Sequence, residues 1–436
     1  MSLEKPSFWN KLIILVLVLV LVIPILAACG DDEEETPTAA PTATITPTVT
    51  AKPTATATPI PTVTAKPTAT ATPTPTPTVS KEPIDIGLLT SWSGQAAKAG
   101  ILVDQILKII NKQLDAKGGI NVGGEIRPIN WIKHDDKTQV ADAVAGYKKL
   151  AMEGVSAVLI GGATAAALTA TSDAAEETKV PLFSVGSTPV DLSGRPYTIR
   201  AAYPNATDIA PKVSDFVLKE LKPKTVGLLF ANLQDIRDRA SMFKKTLEAA
   251  GVKIVYEQYS DLTTTDFSPY LTKIKYENPD VLIADSGGTD AFYVSIFKQI
   301  SGLGGWGNIK FVSSGVSSSG PALKESGAEG TYHWLLWMSG MPSPGSKEFE
   351  TAWAKEYSER PTSGHAVMYQ TITVALKAIE MAGSDKPGDI QKAARSGNFV
   401  WANAPGGTFK INADGTHNNV GQIVQYKNGV LTPVQQ

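Results

Sequence analysis

Apolar and polar positions divide the chain into three unlike stretches. Leu12 to Ile23 is a run without a single polar residue. Residues 36–78 hold almost nothing but Thr, Pro and Ala, and their few Ile and Val are isolated. From Lys81 onward, short apolar runs alternate with longer stretches of helical periodicity. The apolar runs predict strands at Ile84–Leu89, Ile129–Lys133, Ala157–Gly161, Pro181–Val185, Thr225–Phe230, Lys253–Gln258, Val281–Ala284 and Lys310–Val312. Helices are predicted to begin near Lys98, Gln139, Ala165, Asp208, Arg239, Ser268, Asp290, Lys347 and Ala366. Ile101, Leu102, Ile106, Ile109 and Ile110 give the first of these an apolar stripe. Such alternation predicts an α/β architecture of parallel sheets covered by helices on both faces. Residues 81–436 are too many for one core, so two lobes are expected.

The same pattern shows where a ligand is expected. In open α/β sheets ligands bind beyond the carboxyl ends of the strands. Small and hydroxyl residues gather there: Thr90-Ser91-Trp92-Ser93-Gly94, Gly161-Gly162-Ala163-Thr164-Ala165 and Ser184-Val185-Gly186-Ser187-Thr188. Asp285-Ser286-Gly287-Gly288 and Ser313-Ser314-Gly315 follow two later strands. Glycine and serine let a ligand reach backbone N–H groups at helix starts, which favour an anion. One such turn is only a tight connection; five of them predict a pocket.

Composition narrows the classes of function. The 436 residues carry 40 Lys and Arg against 42 Asp and Glu, a formal charge of −2. That balance gives no electrostatic case for nucleic acid. One cysteine excludes an intramolecular disulfide and argues against a Cys-based zinc site. No HExxH or GxxxxGK[ST] pattern is present, and no nucleophile–base pair or metal cluster emerges from the spacing. Neither an enzyme nor a cofactor is expected. His134-Asp135-Asp136 reads as ordinary strand-end structure, not catalysis. Gly315–Gly320 lacks the spacing of a nucleophile elbow. Tyr332, Trp334 and Trp337 read as packing on a crossing strand.

Residues 1–28 read as an export signal, with Lys5 and Lys11 before the apolar run and small residues before Cys29. Leu26-Ala27-Ala28-Cys29 resembles a bacterial lipobox. The resemblance implies cleavage before Cys29 and a lipid on its sulfur, hence an extracytoplasmic protein held at a membrane. Residues 29–82 read as a disordered stalk. An acidic run, Asp31–Glu35, leads into 18 Thr and 10 Pro among residues 36–78, with Thr48–Pro59 repeated as Thr62–Pro73. Such a segment buries too little apolar surface to fold. Proline stretches it at ~3.1 Å per residue, a reach on the order of 100 Å.

Residues 83–430 resemble the type I solute-binding proteins of the branched-chain amino acid class, which serve ABC transporters. The resemblance is carried by Ile86–Gly94 (IGLLTSWSG), Leu114–Ile120 (LDAKGGI), Asp135-Asp136, Asp173–Thr188, Thr265–Ile274 (TDFSPYLTKI), Pro279–Ile283 and Gly407–Gly415. It implies a periplasmic-binding-protein-like type I fold. Two doubly wound lobes with parallel-sheet cores are joined by a three-crossing hinge. Lobe one would span about 84–203 plus 335–408, and lobe two about 204–334 plus 409–436. The lobes would close on a ligand as periplasmic binding proteins do. A monomer would then dock on ABC permease subunits, with ATP hydrolysis on a separate subunit.

The resemblance also assigns pocket positions. Ala165, beside Ala163 and Thr164, stands where a serine usually holds the ligand carboxylate. Gly186, Ser187 and Thr188 match a turn that supplies a carbonyl and a hydroxyl. Asp235 stands where an aromatic residue usually covers the ligand, and Ser314 where an acid usually pairs its ammonium. Asp235 or Asp285 is expected to supply that charge instead. Trp92 either covers an apolar ligand part or simply packs. The expected function is capture of an amino acid or related carboxylate or amide for uptake. The alternative is a ligand sensor of the same fold coupled to a membrane receptor.

Overall fold

The structure, a computed structural model, describes residues 78–434 except Lys81, 187–191, Ser193, Asn205, Leu262, 287–289, 315–320 and Val420. The leader 1–28, Cys29, the stalk up to residue 77, Ser187, Thr188 and Gly315–Gly320 therefore lie outside the described residues.

The first sheet is five-stranded and wholly parallel. Its strands are β2 (Ile84–Thr90), β5 (Ile129–Asp135), β6 (Ala157–Ile160), β7 (Leu182–Ser184) and β8 (Thr198–Arg200), in the order β5-β2-β6-β7-β8. Helices α1 (Lys98–Asp115), α2 (Val140–Met152) and α3 (Ala165–Thr178) connect them. Alternate residues enter different cores. Ile84, Ile86 and Leu88 of β2 join the larger cluster, while Leu89 joins a second one with Val158 and Leu182. Both faces are covered, so β6 is apolar at every position (AVLI). The stripe on α1 is rotated from its expected setting. Val103, Ile106, Leu107, Ile109 and Ile110 are buried, whereas Ile101 is 58% exposed.

The second sheet begins with parallel strands β9 (Thr225–Ala231), β10 (Lys253–Ser260), β11 (Val281–Asp285), β12 (Lys310–Ser313) and β13 (Tyr332–Leu335). β16 (Gln422–Lys427) and β17 (Val430–Pro433) add antiparallel, giving the order β10-β9-β11-β12-β13-β16-β17. Its helices are α4 (Ala206–Phe216), α5 (Gln234–Ala249), α6 (Ser268–Glu277) and α7 (Asp290–Gly302). Val226, Leu228 and Phe230 of β9 face one core and Leu229 the other.

The chain passes between the sheets three times. It leaves β8 for α4, which packs on α5. It leaves β13 for α8 (Pro344–Ala354) and α9 (Ser363–Ala382); α9 packs on α1, β6 and β7. After α10 (Pro387–Ala394) and the hairpin β14 (Phe399–Ala404) and β15 (Gly407–Ile411), it leaves for β16. The result is a type I periplasmic binding protein fold: two lobes with parallel-sheet cores. Trp334 and Trp337 are buried in the core beside the middle crossing, and Trp337 donates to the Ser346 hydroxyl and packs edge-on against Phe349.

Three helices begin earlier than their apolar periodicity predicts. α5 starts at Gln234, not Arg239, because its first turns are charged and only Ile236 enters the core. α8 starts at Pro344, with the Ser343 hydroxyl accepting from the Ser346 N–H at 3.1 Å. α9 starts at Ser363 with a reciprocal cap between Thr362 and His365. A further sheet was not anticipated: β3 (Ile120–Val122) and β4 (Glu125–Arg127) form a hairpin, to which β1 (Thr78–Val79) adds in parallel.

Candidate ligand-binding cleft

In lobe one the loops beyond β2 and β5 are stapled together by the acidic pair. Asp135 accepts from the N–H groups of Trp92 (2.9 Å), Ser93 (3.2 Å) and Lys137 (2.9 Å) and from the Ser93 hydroxyl (2.7 Å). Burial alone would raise its pKa, but these hydrogen bonds outweigh it and hold the carboxyl at about 2. Asp136 is buried and accepts from the Ser91 hydroxyl and the Thr138 N–H. The pair is thus occupied in shaping loops. Trp92 has a packing role. Its indole lies over Gly100, where a Cβ would stand 2.6 Å from the ring. Its N–H donates to Asp104 at 3.2 Å, and Lys133 sits 5.2 Å from the ring centroid.

The turn after β6, at the candidate cleft, is backbone-constrained. Ile160, Gly161 and Gly162 have φ of +83°, +81° and +103°. A β-branched residue in that region is strained. A Cβ on Gly162 would lie 2.6 Å from that of Ala167. This reversal brings Thr164 to the cap of α3, where its hydroxyl accepts from Ala167 N–H at 3.2 Å. Ala163 and Thr164 are half-buried and Ala165 is exposed. The N–H groups of Ala165 and Ala166 belong to the first helical turn, which has no intrahelical acceptors. Gly186, after β7, lies against Leu168 of the same helix, so the 163–165 and 186 turns adjoin.

In lobe two, Asp285 ends β11 and Ser314 follows β12. They are 0% and 1% exposed. The Ser314 hydroxyl and the Arg239 guanidinium Nη1 both donate to Oδ2 of Asp285. The Asp285 charge expected for a ligand ammonium is paired here with Arg239. The nearby Tyr293 is held well above its usual pKa by burial, then by the Asp285 charge. Asp235 lies in the first turn of α5, one turn before Arg239; its side chain lies outside the described residues. Sequence reasoning missed Arg239, because it sits in a charged run (QDIRDR) that reads as a solvated helix face. Among the described residues no group of His, Cys, Asp and Glu is arranged to hold a metal.

Two lobes of this topology, with glycine and hydroxyl turns at the strand ends, have the architecture of a periplasmic binding protein. The chain belongs to the periplasmic binding protein family, which it matches over residues 83–430. It is 23% identical over 370 residues to Leu/Ile/Val-binding protein homolog 7 of Brucella melitensis, covering 80% of this chain and 91% of that protein. Two solved structures share the fold. One is the branched-chain amino acid transporter substrate-binding protein of Streptococcus pneumoniae in complex with isoleucine (TM-score 0.68, 22% identity, 81% of this chain and 99% of that one). The other is a solute-binding protein of an ABC transporter from R. palustris in complex with benzoate (TM-score 0.65, 18% identity, 81% and 96%).

Proposed function

We propose that this chain is the solute-binding component of an ABC importer, capturing a small carboxylate between its lobes. The observation that carries the reading is the turn 160–165. Its three left-handed residues bring the start of α3, with open N–H groups at Ala165 and Ala166, to the carboxyl ends of the lobe-one strands. Isoleucine and benzoate, bound by the two structural neighbours, have a carboxylate in common. The protein works outside the cytoplasm, cleaved before Cys29, lipidated there and held off the membrane by residues 29–82. It acts as a monomer and passes its ligand to permease subunits. Uptake, and not sensing, is favoured because the compared proteins named for a system belong to transporters.

A thermal-shift screen of the full chain in detergent tests this. The panel holds amino acids, their amides, and aromatic and aliphatic acids. A ligand at 100 times its Kd raises stability by about 2.7 kcal/mol, a rise of a few degrees in Tm. Deleting the gene should abolish cellular uptake of the same compound. A flat screen overturns the reading; intact uptake overturns the transport assignment.

A further inference from the structure

Given the solute-binding reading above, we infer that Thr171, in the second turn of α3, is the positioning residue of the turn 160–165: its hydroxyl holds that turn in the shape the ligand meets. Thr171 is 0% exposed, so it acts through the turn and touches no ligand itself. Ile160, Gly161 and Gly162 all have positive φ, and strained backbone of this kind persists only where its surroundings over-determine it. Two hydrogen bonds grip it from opposite sides. The Gly162 N–H donates to the Leu89 carbonyl of β2 at 3.0 Å. The Thr171 hydroxyl stands 2.7 Å from the Gly161 carbonyl in a buried setting.

That hydroxyl also lies 2.8 Å from the Ala167 carbonyl and 3.2 Å from that of Leu168, and it has one proton to give. The helix decides where it goes. The Ala167 carbonyl already receives the N–H four residues on, which is that of Thr171 itself. The Gly161 carbonyl has no other donor among the described residues. A buried carbonyl left unmet is costly, so the proton belongs to Gly161. The same face of α3 reaches the neighbouring turn through Leu168, three residues before Thr171. A Cβ on Gly161 would stand 3.2 Å from Leu168, and one on Gly186 2.5 Å from it. One helix face thus sets both lobe-one turns, and Thr171 supplies its only side-chain hydrogen bond to the strained one among the described residues.

Thr171→Val keeps the shape of the side chain and removes the donor; Thr171→Ser keeps the donor. Three quantities are measured on the full chain of each variant: amide exchange of Gly162 without ligand, the calorimetric Kd for isoleucine and for benzoate, and the urea midpoint. In Thr171→Val, Gly162 should exchange at least about tenfold faster, as expected for one unmet buried carbonyl. Kd should weaken at least about tenfold for whichever of the two probes binds the wild type. Thr171→Ser should return both to within about threefold of the wild type. A lower urea midpoint with Kd unchanged would make Thr171 a merely structural residue and overturn the inference. Unchanged Gly162 exchange in Thr171→Val, or a Thr171→Ser variant as impaired as Thr171→Val, would overturn it as well. Binding of neither probe to the wild type also overturns it, and the thermal-shift screen above then decides separately whether the solute-binding reading stands.

Discussion

Arg239 and Asp285 form an ion pair buried in lobe two, one from the second turn of α5 and the other from the last position of β11. Removing one partner strands the other's charge in the interior. Asp285→Asn is expected to lower stability by about 3–5 kcal/mol, measured by urea unfolding. Arg239→Met together with Asp285→Leu should lose much less, because no uncompensated charge remains. Equal losses in the single and double variants would mean that packing, not charge pairing, sets the cost.

The turn after β6 is expected to be intolerant of a side chain. Gly162→Ala places a Cβ 2.6 Å from Ala167 at a φ of +103°. Stability should fall by about 1–3 kcal/mol and ligand affinity with it. Thr164→Ala removes the cap of α3 and should cost about 1 kcal/mol. Unchanged ligand binding in both variants would remove this turn from the site.

Stability should fall as the solution becomes acidic. His333 is fully buried between the Ser313 and Thr331 hydroxyls, and burial lowers its pKa to about 3. Burial, then Lys98, lowers His365 to about 4. His417 is also lowered to about 4, by burial first and with Arg200 adding to it. Each binds a proton more readily unfolded than folded. Their stabilisation is complete above pH 6.5, the ordinary value, and declines as pH falls toward 4. At pH 5 each contributes a loss on the order of 2 kcal/mol. Urea midpoints at pH 7.5 and 5.0 check this, and His333→Asn should flatten the profile.

The crossing after β8 is held by Gln370. Its side-chain amide donates to the Ala201 carbonyl at 3.0 Å in a buried setting. Gln370→Met leaves that carbonyl unsatisfied and should cost about 1–3 kcal/mol. Hydrogen exchange across 199–204 should accelerate in the variant. Unaltered exchange there would mean that other contacts hold the crossing.

The parallel strands were legible because both faces of each sheet are covered, so a strand such as β6 has no polar position to blur it. Helix starts were less so, since charged opening turns, as in α5, carry no apolar period. The β3–β4 hairpin had a readable signal in Gly123-Gly124, both with positive φ, between two short β runs. Strand β8 has only three residues and is set by pairing with β7, which no local pattern announces. The glycine and hydroxyl turns fall at the strand ends as the pattern predicts, yet the partner of Asp285 stayed hidden. Arg239 lies 46 residues away, and only the packing of α5 on β9 brings them together.

Capture between the lobes requires them to move on binding, and the distance across them reports that motion. Met152 on α2 of lobe one is 82% exposed, and Tyr276 on α6 of lobe two is 84% exposed. Both positions accept fluorophores through Met152→Cys and Tyr276→Cys, with Cys29→Ser removing the native thiol. Energy transfer between them is predicted to change saturably with the ligand found in the screen, at one ligand per chain. Transfer that stays constant while that ligand saturates the protein would mean that the lobes do not close on it.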